Sequence, residues 1–88
     1  MHLNKTNRAI KDKIKKIRFL LSDVDGVLTD GAIYVGSNHT EYKKFHVEDH
    51  SGVVLCHFAD IQIGLLSARF SEATLIRAKE MKIETCIQ

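Results

Sequence analysis

The sequence predicts an α/β fold built on a small parallel sheet. Three short apolar stretches, residues 17–21, 62–66 and 84–87, read as strands. Two stretches between and after them, residues 48–59 and 71–82, read as helices. The first strand ends abruptly in Asp23-Val24-Asp25-Gly26, which places two acids where open parallel sheets gather their ligands. The order strand, hairpin, helix, strand, helix, strand predicts parallel strands joined by right-handed crossovers.

Taken in order, the first 18 residues are basic. Lys5, Arg8, Lys11, Lys13, Lys15, Lys16 and Arg18 stand against Asp12 alone. Ile10, Ile14 and Ile17 recur at helical spacing, so residues 1–16 form an N-terminal helix or extension leading into the first strand. No aromatic residue is interleaved with the charges, and a solvated face accounts for them better than an RNA-binding stretch. Residues 17–88 form the domain proper.

The first strand is apolar on both faces and reads as buried. Asp23 and Asp25 share a face if the strand stays regular, but Gly26 and Thr29-Asp30-Gly31 favour a tight turn just after it. Two nearby carboxylates repel and need a cation, a shared proton or good solvation. A hard divalent cation such as Mg²⁺ suits them, since it takes oxygen ligands and keeps waters for phosphate oxygens. One acid would serve as nucleophile and the other as proton donor. For Asp-x-Asp in isolation, a solvated turn is the plainer reading.

Residues 32–35 and 40–47 read as a hairpin around Gly36-Ser37-Asn38-His39. A lone hairpin is marginal and needs packing partners. The helix over residues 48–59 carries Val53, Val54, Cys56, His57 and Phe58, too apolar for full exposure. Ser67 follows the second strand. Ser71 caps the next helix, with Glu72 in its first turn and Leu75, Ile76 and Met81 facing inward. The Ser67 hydroxyl, at a strand end near a helix start, suits a phosphate oxygen. Arg69 and Arg77 carry the planar fork that pairs with carboxylate or phosphate.

The stretch from Asp23 to Gly31, after an apolar strand, resembles the first motif of the haloacid dehalogenase (HAD) superfamily of phosphohydrolases. More narrowly it resembles the sugar-acid phosphatases typified by 3-deoxy-D-manno-octulosonate 8-phosphate (KDO 8-phosphate) phosphatase. The resemblance runs from about residue 17 to residue 88. It includes Gly31-Ala32-Ile33-Tyr34, Lys43-Lys44-Phe45-His46-Val47-Glu48-Asp49 and Ile63-Gly64-Leu65-Leu66-Ser67-Ala68-Arg69. It implies a Rossmann-like three-layer sandwich with a β-hairpin flap, of which this chain holds the first part. It implies Mg²⁺ at Asp23 and Asp25, with Asp23 as nucleophile and Asp25 as acid and base. It places Asp25, Ser67, Arg69, Arg77, His46 and Asp49 around a small-molecule sugar phosphate, and implies a homo-oligomer, a tetramer in the resembled family.

The chain departs from that family in three ways. Ser67-Ala68-Arg69 stands where relatives have Thr-Gly-Arg. Glu48 and Val54 replace two pocket arginines, which weakens the hold on an anionic sugar acid. Family phosphatases also continue to a later Lys and a Gly-Asp-Asp segment that these residues do not include, so the 88 residues alone are expected to show little turnover. The alternative reading is a catalytically inactive oligomerisation or binding module derived from the same fold.

Composition bounds the rest. A chain of 88 residues allows one small domain, and 44% hydrophobic with 27% charged residues is ordinary for a soluble protein. A net charge of +2 does not argue for nucleic acid, and no apolar stretch is long enough to cross a membrane. The N-terminus is polar and basic without a secretory h-region. Cys56 and Cys86 read as reduced thiols of a cytoplasmic protein. His46, His50 and His57 would share a face on one helix, but His46 falls at the end of the flap, and no Cys pair has zinc-like spacing.

Overall fold

A computed structural model describes residues 5–88. Residues 1–4 of the expected N-terminal extension, and the side chains of Lys5 and Thr6, lie outside the described residues. The chain runs α1 (Lys5–Ile14), β1 (Phe19–Asp23), β2 (Tyr34–Val35), β3 (Glu41–Tyr42), α2 (Glu48–Phe58), β4 (Gln62–Leu66), α3 (Glu72–Glu80) and β5 (Thr85–Ile87). This is the α/β order expected from the sequence.

Strands β1, β4 and β5 form one parallel sheet in the order β1-β4-β5. In β1–β4, Leu20 lies beside Ile63 and Ser22 beside Leu65. Residues paired in this way share a face. One face therefore carries Ile63 and Leu65, which join Val53 of α2 and Ala78 of α3 in the core with Val24, Met81 and Ile83. Both crossover helices cover this face, as two right-handed crossovers in one direction require. The opposite face carries Phe19, Leu21, Leu66 and Ile87, all substantially exposed. A sheet and one helical layer of the sandwich are thus present among the described residues.

That arrangement corrects the packing expected of β1 and α3, while α2 is partly covered, as expected. Strand β1 is not buried: Phe19, Leu20 and Leu21 are each close to half exposed, because β1 pairs on one edge only and one of its faces is uncovered. Helix α2 buries Val53 and half-buries Cys56, while Val54, Leu55 and Phe58 face solvent. Helix α3 turns Thr74 and Ala78 to the core, followed by Met81, and leaves Leu75 and Ile76 exposed. Positions 74, 78 and 81 follow the i, i+4, i+7 spacing of one face; 75 and 76 lie about 100° and 200° around from 74. The Ser71 cap is as expected: its side chain accepts the Thr74 N–H.

The hairpin is short. Tyr34 pairs with Tyr42 and Val35 with Glu41, and an isolated bridge joins Thr29 to Phe45. Beyond that pairing the return segment alternates. Glu41, Lys43 and Phe45 turn inward, while Tyr42, Lys44 and His46 are exposed. Helix α1 forms where the basic stretch predicted one, but Ile10 and Ile14 remain exposed. No helix among the described residues is long and apolar enough to cross a membrane. Cys56 and Cys86 are free thiols, and burial pushes the Cys86 thiol up from its usual range.

Candidate active site

The site lies at the carboxyl ends of β1 and β4. The strand register sets Asp23 beside Leu66, so the turn after β1 and the segment after β4 leave the sheet at the same end. The Val24 carbonyl accepts the N–H groups of Val27, Leu28 and Thr29, which folds the chain back at once. Gly26 sits at φ +82°, in the left-handed region open to glycine. Thr29 is buried, and its hydroxyl accepts the N–H groups of Gly26 and Gly31, bracing both ends of the turn.

Asp23 ends the strand and is exposed. Its Oδ1 accepts the Val24 N–H at 2.8 Å, which fixes the carboxylate, and no donor among the described residues reaches Oδ2. Asp25 lies in the turn with its side chain 34% exposed. The Ser67 hydroxyl lies 3.3 Å from Asp25 Oδ2 and 3.0 Å from the Arg69 carbonyl, and its one proton serves one of these acceptors at a time, so a residue from the end of each paired strand meets here. Ser67 is buried, and its oxygen also accepts the Arg69 N–H at 3.2 Å, holding the loop after β4.

The flap adds two residues that the sequence reading gave no role. Lys43 Nζ donates to Asp25 Oδ1 at 2.8 Å, and its side chain is 0% exposed. Glu41 pairs with Arg69 at 2.6 Å. The hydrogen bond from Arg69 holds the Glu41 carboxyl below the usual carboxylate range, and the same contact raises the Arg69 guanidinium. Alternation along the expected return strand puts Glu41 and Lys43 on one face; what that face meets shows only in the fold.

Arg77 is not a solvated surface residue. Its Nη2 donates to the His46 carbonyl at 3.1 Å and ties α3 to the end of the flap. It also meets Glu80 at 3.5 Å, while its Nε is buried without a partner among the described residues. Asp49, in the first turn of α2, likewise has a buried Oδ2 without a partner. The His46 side chain is exposed; its carbonyl accepts Arg77 and the Asp49 N–H. The structure therefore brings Asp25, Ser67 and Lys43 together, with Asp23 beside them. Arg69 and Arg77 both contact the flap.

Among the described residues, no group of three or more His, Cys, Asp or Glu side chains is placed to hold a metal. One exposed carboxylate and a main-chain oxygen fit Mg²⁺, which needs few protein ligands when water and phosphate supply the rest. Lys43 and Ser67 hold the two side-chain oxygens of Asp25, which leaves its main-chain oxygen and the Asp23 carboxylate as donors.

No protein-family model matches the chain. A curated relative, the 3-deoxy-D-manno-octulosonate 8-phosphate phosphatase of Haemophilus influenzae, is 39% identical over 75 residues, 85% of this chain and 42% of the relative. Among solved structures, the same enzyme of Moraxella catarrhalis, in complex with magnesium ion, phosphate ion and a KDO molecule, superposes with a TM-score of 0.86 at 37% identity. That match covers 92% of this chain and 47% of the other. The cobalt-bound Haemophilus influenzae structure gives a TM-score of 0.78 at 38% identity, covering 85% and 44%. The chain thus spans less than half the length of these relatives.

Proposed function

The chain falls within the HAD superfamily and its KDO 8-phosphate phosphatase-like family, and on that premise we propose that it carries the nucleophile side of a Mg²⁺-dependent phosphatase site for a phosphorylated sugar acid. One observation carries the proposal: Asp25 and Ser67 meet at 3.3 Å across the carboxyl ends of β1 and β4, beside the open carboxylate of Asp23.

Asp23 attacks phosphorus through its free oxygen. The bond from phosphorus to the leaving oxygen breaks, and an aspartyl-phosphate forms on Asp23. Asp25, having taken up a proton from solvent, gives it to the leaving oxygen, then takes one from the water that attacks the aspartyl-phosphate, which readies it for the next cycle. Inorganic phosphate leaves and Asp23 is restored. Ser67 donates to a phosphoryl oxygen. Mg²⁺, held by Asp23 and Asp25, would neutralise charge on the phosphoryl oxygens when bound. Arg69, Arg77, His46 and Asp49 line the end of the site that takes the sugar. Buried polar atoms of Arg77 and Asp49 without protein partners support that assignment, since such atoms are ordinarily satisfied. The substrate is KDO 8-phosphate or another acidic nonulose phosphate, and Glu48 and Val54 favour a less tightly held acid.

The test is turnover of a panel of sugar phosphates with Mg²⁺ by the full native protein containing this chain. EDTA should abolish it, and Asp23→Asn should reduce it to background. Turnover that survives Asp23→Asn overturns the mechanism. The competing reading is a non-catalytic assembly module, supported by the exposed apolar residues Val47, Leu55 and Phe58, the last 86% exposed. On that reading the protein assembles without Mg²⁺ or substrate and turns nothing over. An active homo-oligomer, a tetramer in the cytoplasm, reconciles the apolar surface with the phosphatase reading.

A further inference from the structure

We propose that Lys43 is a positioning residue for Asp25: the flap supplies the buried cation that fixes the orientation of the acid–base carboxylate. The inference rests on the phosphatase reading, and it concerns a residue to which that reading assigns no role.

Asp25 lies two residues past the end of β1, in a turn. Its terminal torsion is of the broad, roughly two-fold kind that backbone structure does not set. Orientation must come from contacts, and two groups among the described residues reach its oxygens, Ser67 sharing its one proton with the Arg69 carbonyl at 3.0 Å. Ser67 holds Oδ2 from the β4 side at 3.3 Å, and Lys43 holds Oδ1 from the flap at 2.8 Å. The Lys43 contact is the shorter and is charge-assisted, so it is the stronger tether. Because the Lys43 side chain is fully buried, its ammonium has no water to turn to, and Asp25 is its partner among the described residues. A buried ammonium without a counter-charge is strongly disfavoured, so the pair resists separation.

The local sequence sets up this contact. Lys43 follows β3, where alternation turns it inward between Glu41 and Phe45. Glu41 grips Arg69 on one side, and the Thr29–Phe45 bridge pins the strand to the acidic turn on the other. The segment that carries Lys43 is therefore held on both sides of it. Lys43 also places one positive charge directly against the Asp25 carboxylate.

Two measurements on the full native protein test this. The first is steady-state kinetics of Lys43→Met and Lys43→Arg with the sugar phosphate that the wild type turns over best in Mg²⁺. Lys43→Met, which keeps the stem and drops the charge, should lower kcat by about 10²-fold with KM within roughly threefold, as a misplaced catalytic group does. Lys43→Arg should recover part of kcat. A raised KM with unchanged kcat, or no effect of Lys43→Met on an active wild type, overturns the inference and leaves the phosphatase reading intact. The second does not need turnover. The Lys43 ammonium should give a protected ¹H–¹⁵N NMR signal that Asp25→Asn removes. Its absence from the wild type overturns the tether whatever the activity. A wild type that is inactive yet shows the signal overturns the phosphatase reading and the catalytic role of Lys43 together, while the ion pair itself stands.

Discussion

Strands β1 (Phe19–Asp23) and β4 (Gln62–Leu66) are hydrogen-bonded neighbours of the same length and similar apolar content, yet their surroundings differ. Strand β4 lies between β1 and β5, and the helices cover its Ile63 and Leu65. Leu65 is 1% exposed. Strand β1 pairs on one edge, and Leu21 is 49% exposed. An apolar run tells the chain to be a strand; burial depends on how many neighbours and layers that strand acquires. Both strands end at the site, so its floor combines one well-packed support and one half-covered support.

Paired truncations make that contrast measurable. Leu65→Ala removes a fully buried side chain from between two helices and should cost about 2–5 kcal/mol in urea unfolding. Leu21→Ala removes one already half in water and should cost about 1 kcal/mol. Equal losses would mean that β1 is covered in the protein as studied, and the contrast would vanish.

Comparable to the second is Ser71, whose buried hydroxyl caps α3 by accepting the Thr74 N–H. Ser71→Ala should cost about 1 kcal/mol, with the sheet intact by circular dichroism. Gly64 sharpens the comparison from the other side of the sheet. A Cβ there would lie 2.6 Å from the tip of the Phe19 ring. Gly64→Ala should cost only about 1 kcal/mol, because Phe19 is half exposed and can swing away. A larger loss would mean that the ring is held in place.

The fold was legible because its signals are local. The span of β4, the Ser71 cap and the acidic turn each follow from a few adjacent residues. Helix phase was not: Leu75 and Ile76 are the bulkier apolar residues, but Thr74 and Ala78 face inward instead. Lys43 escaped for a different reason. A lysine in a short strand ordinarily marks solvent, and its inward turn is explained only by Asp25, 18 residues earlier in the chain. Alternation alone fixed the face; knowing that the face looks onto a carboxylate required the folded chain. The pair of Glu41 with Arg69 is hidden in the same way, across 28 residues.

That last pair gives the smallest expected effect and the most specific one. Arg69 holds the Glu41 carboxyl below its usual range, so the folded state binds a proton there less readily than the unfolded chain does. The contribution is therefore complete above the ordinary glutamate range and is lost as pH falls through the lowered value. Solvent reaches both partners, Arg69 more than Glu41, and screens the pair, so global stability should change little. The readout is local. Amide exchange in the flap, residues 34–42, should quicken on acidification in the wild type. In Glu41→Gln it should already be fast near neutral pH and change less with acid. If flap exchange in Glu41→Gln follows the wild-type acid profile, the hairpin is held by Lys43 and the Thr29–Phe45 bridge alone. The connection between flap and sheet would then run through Asp25 and not through Arg69.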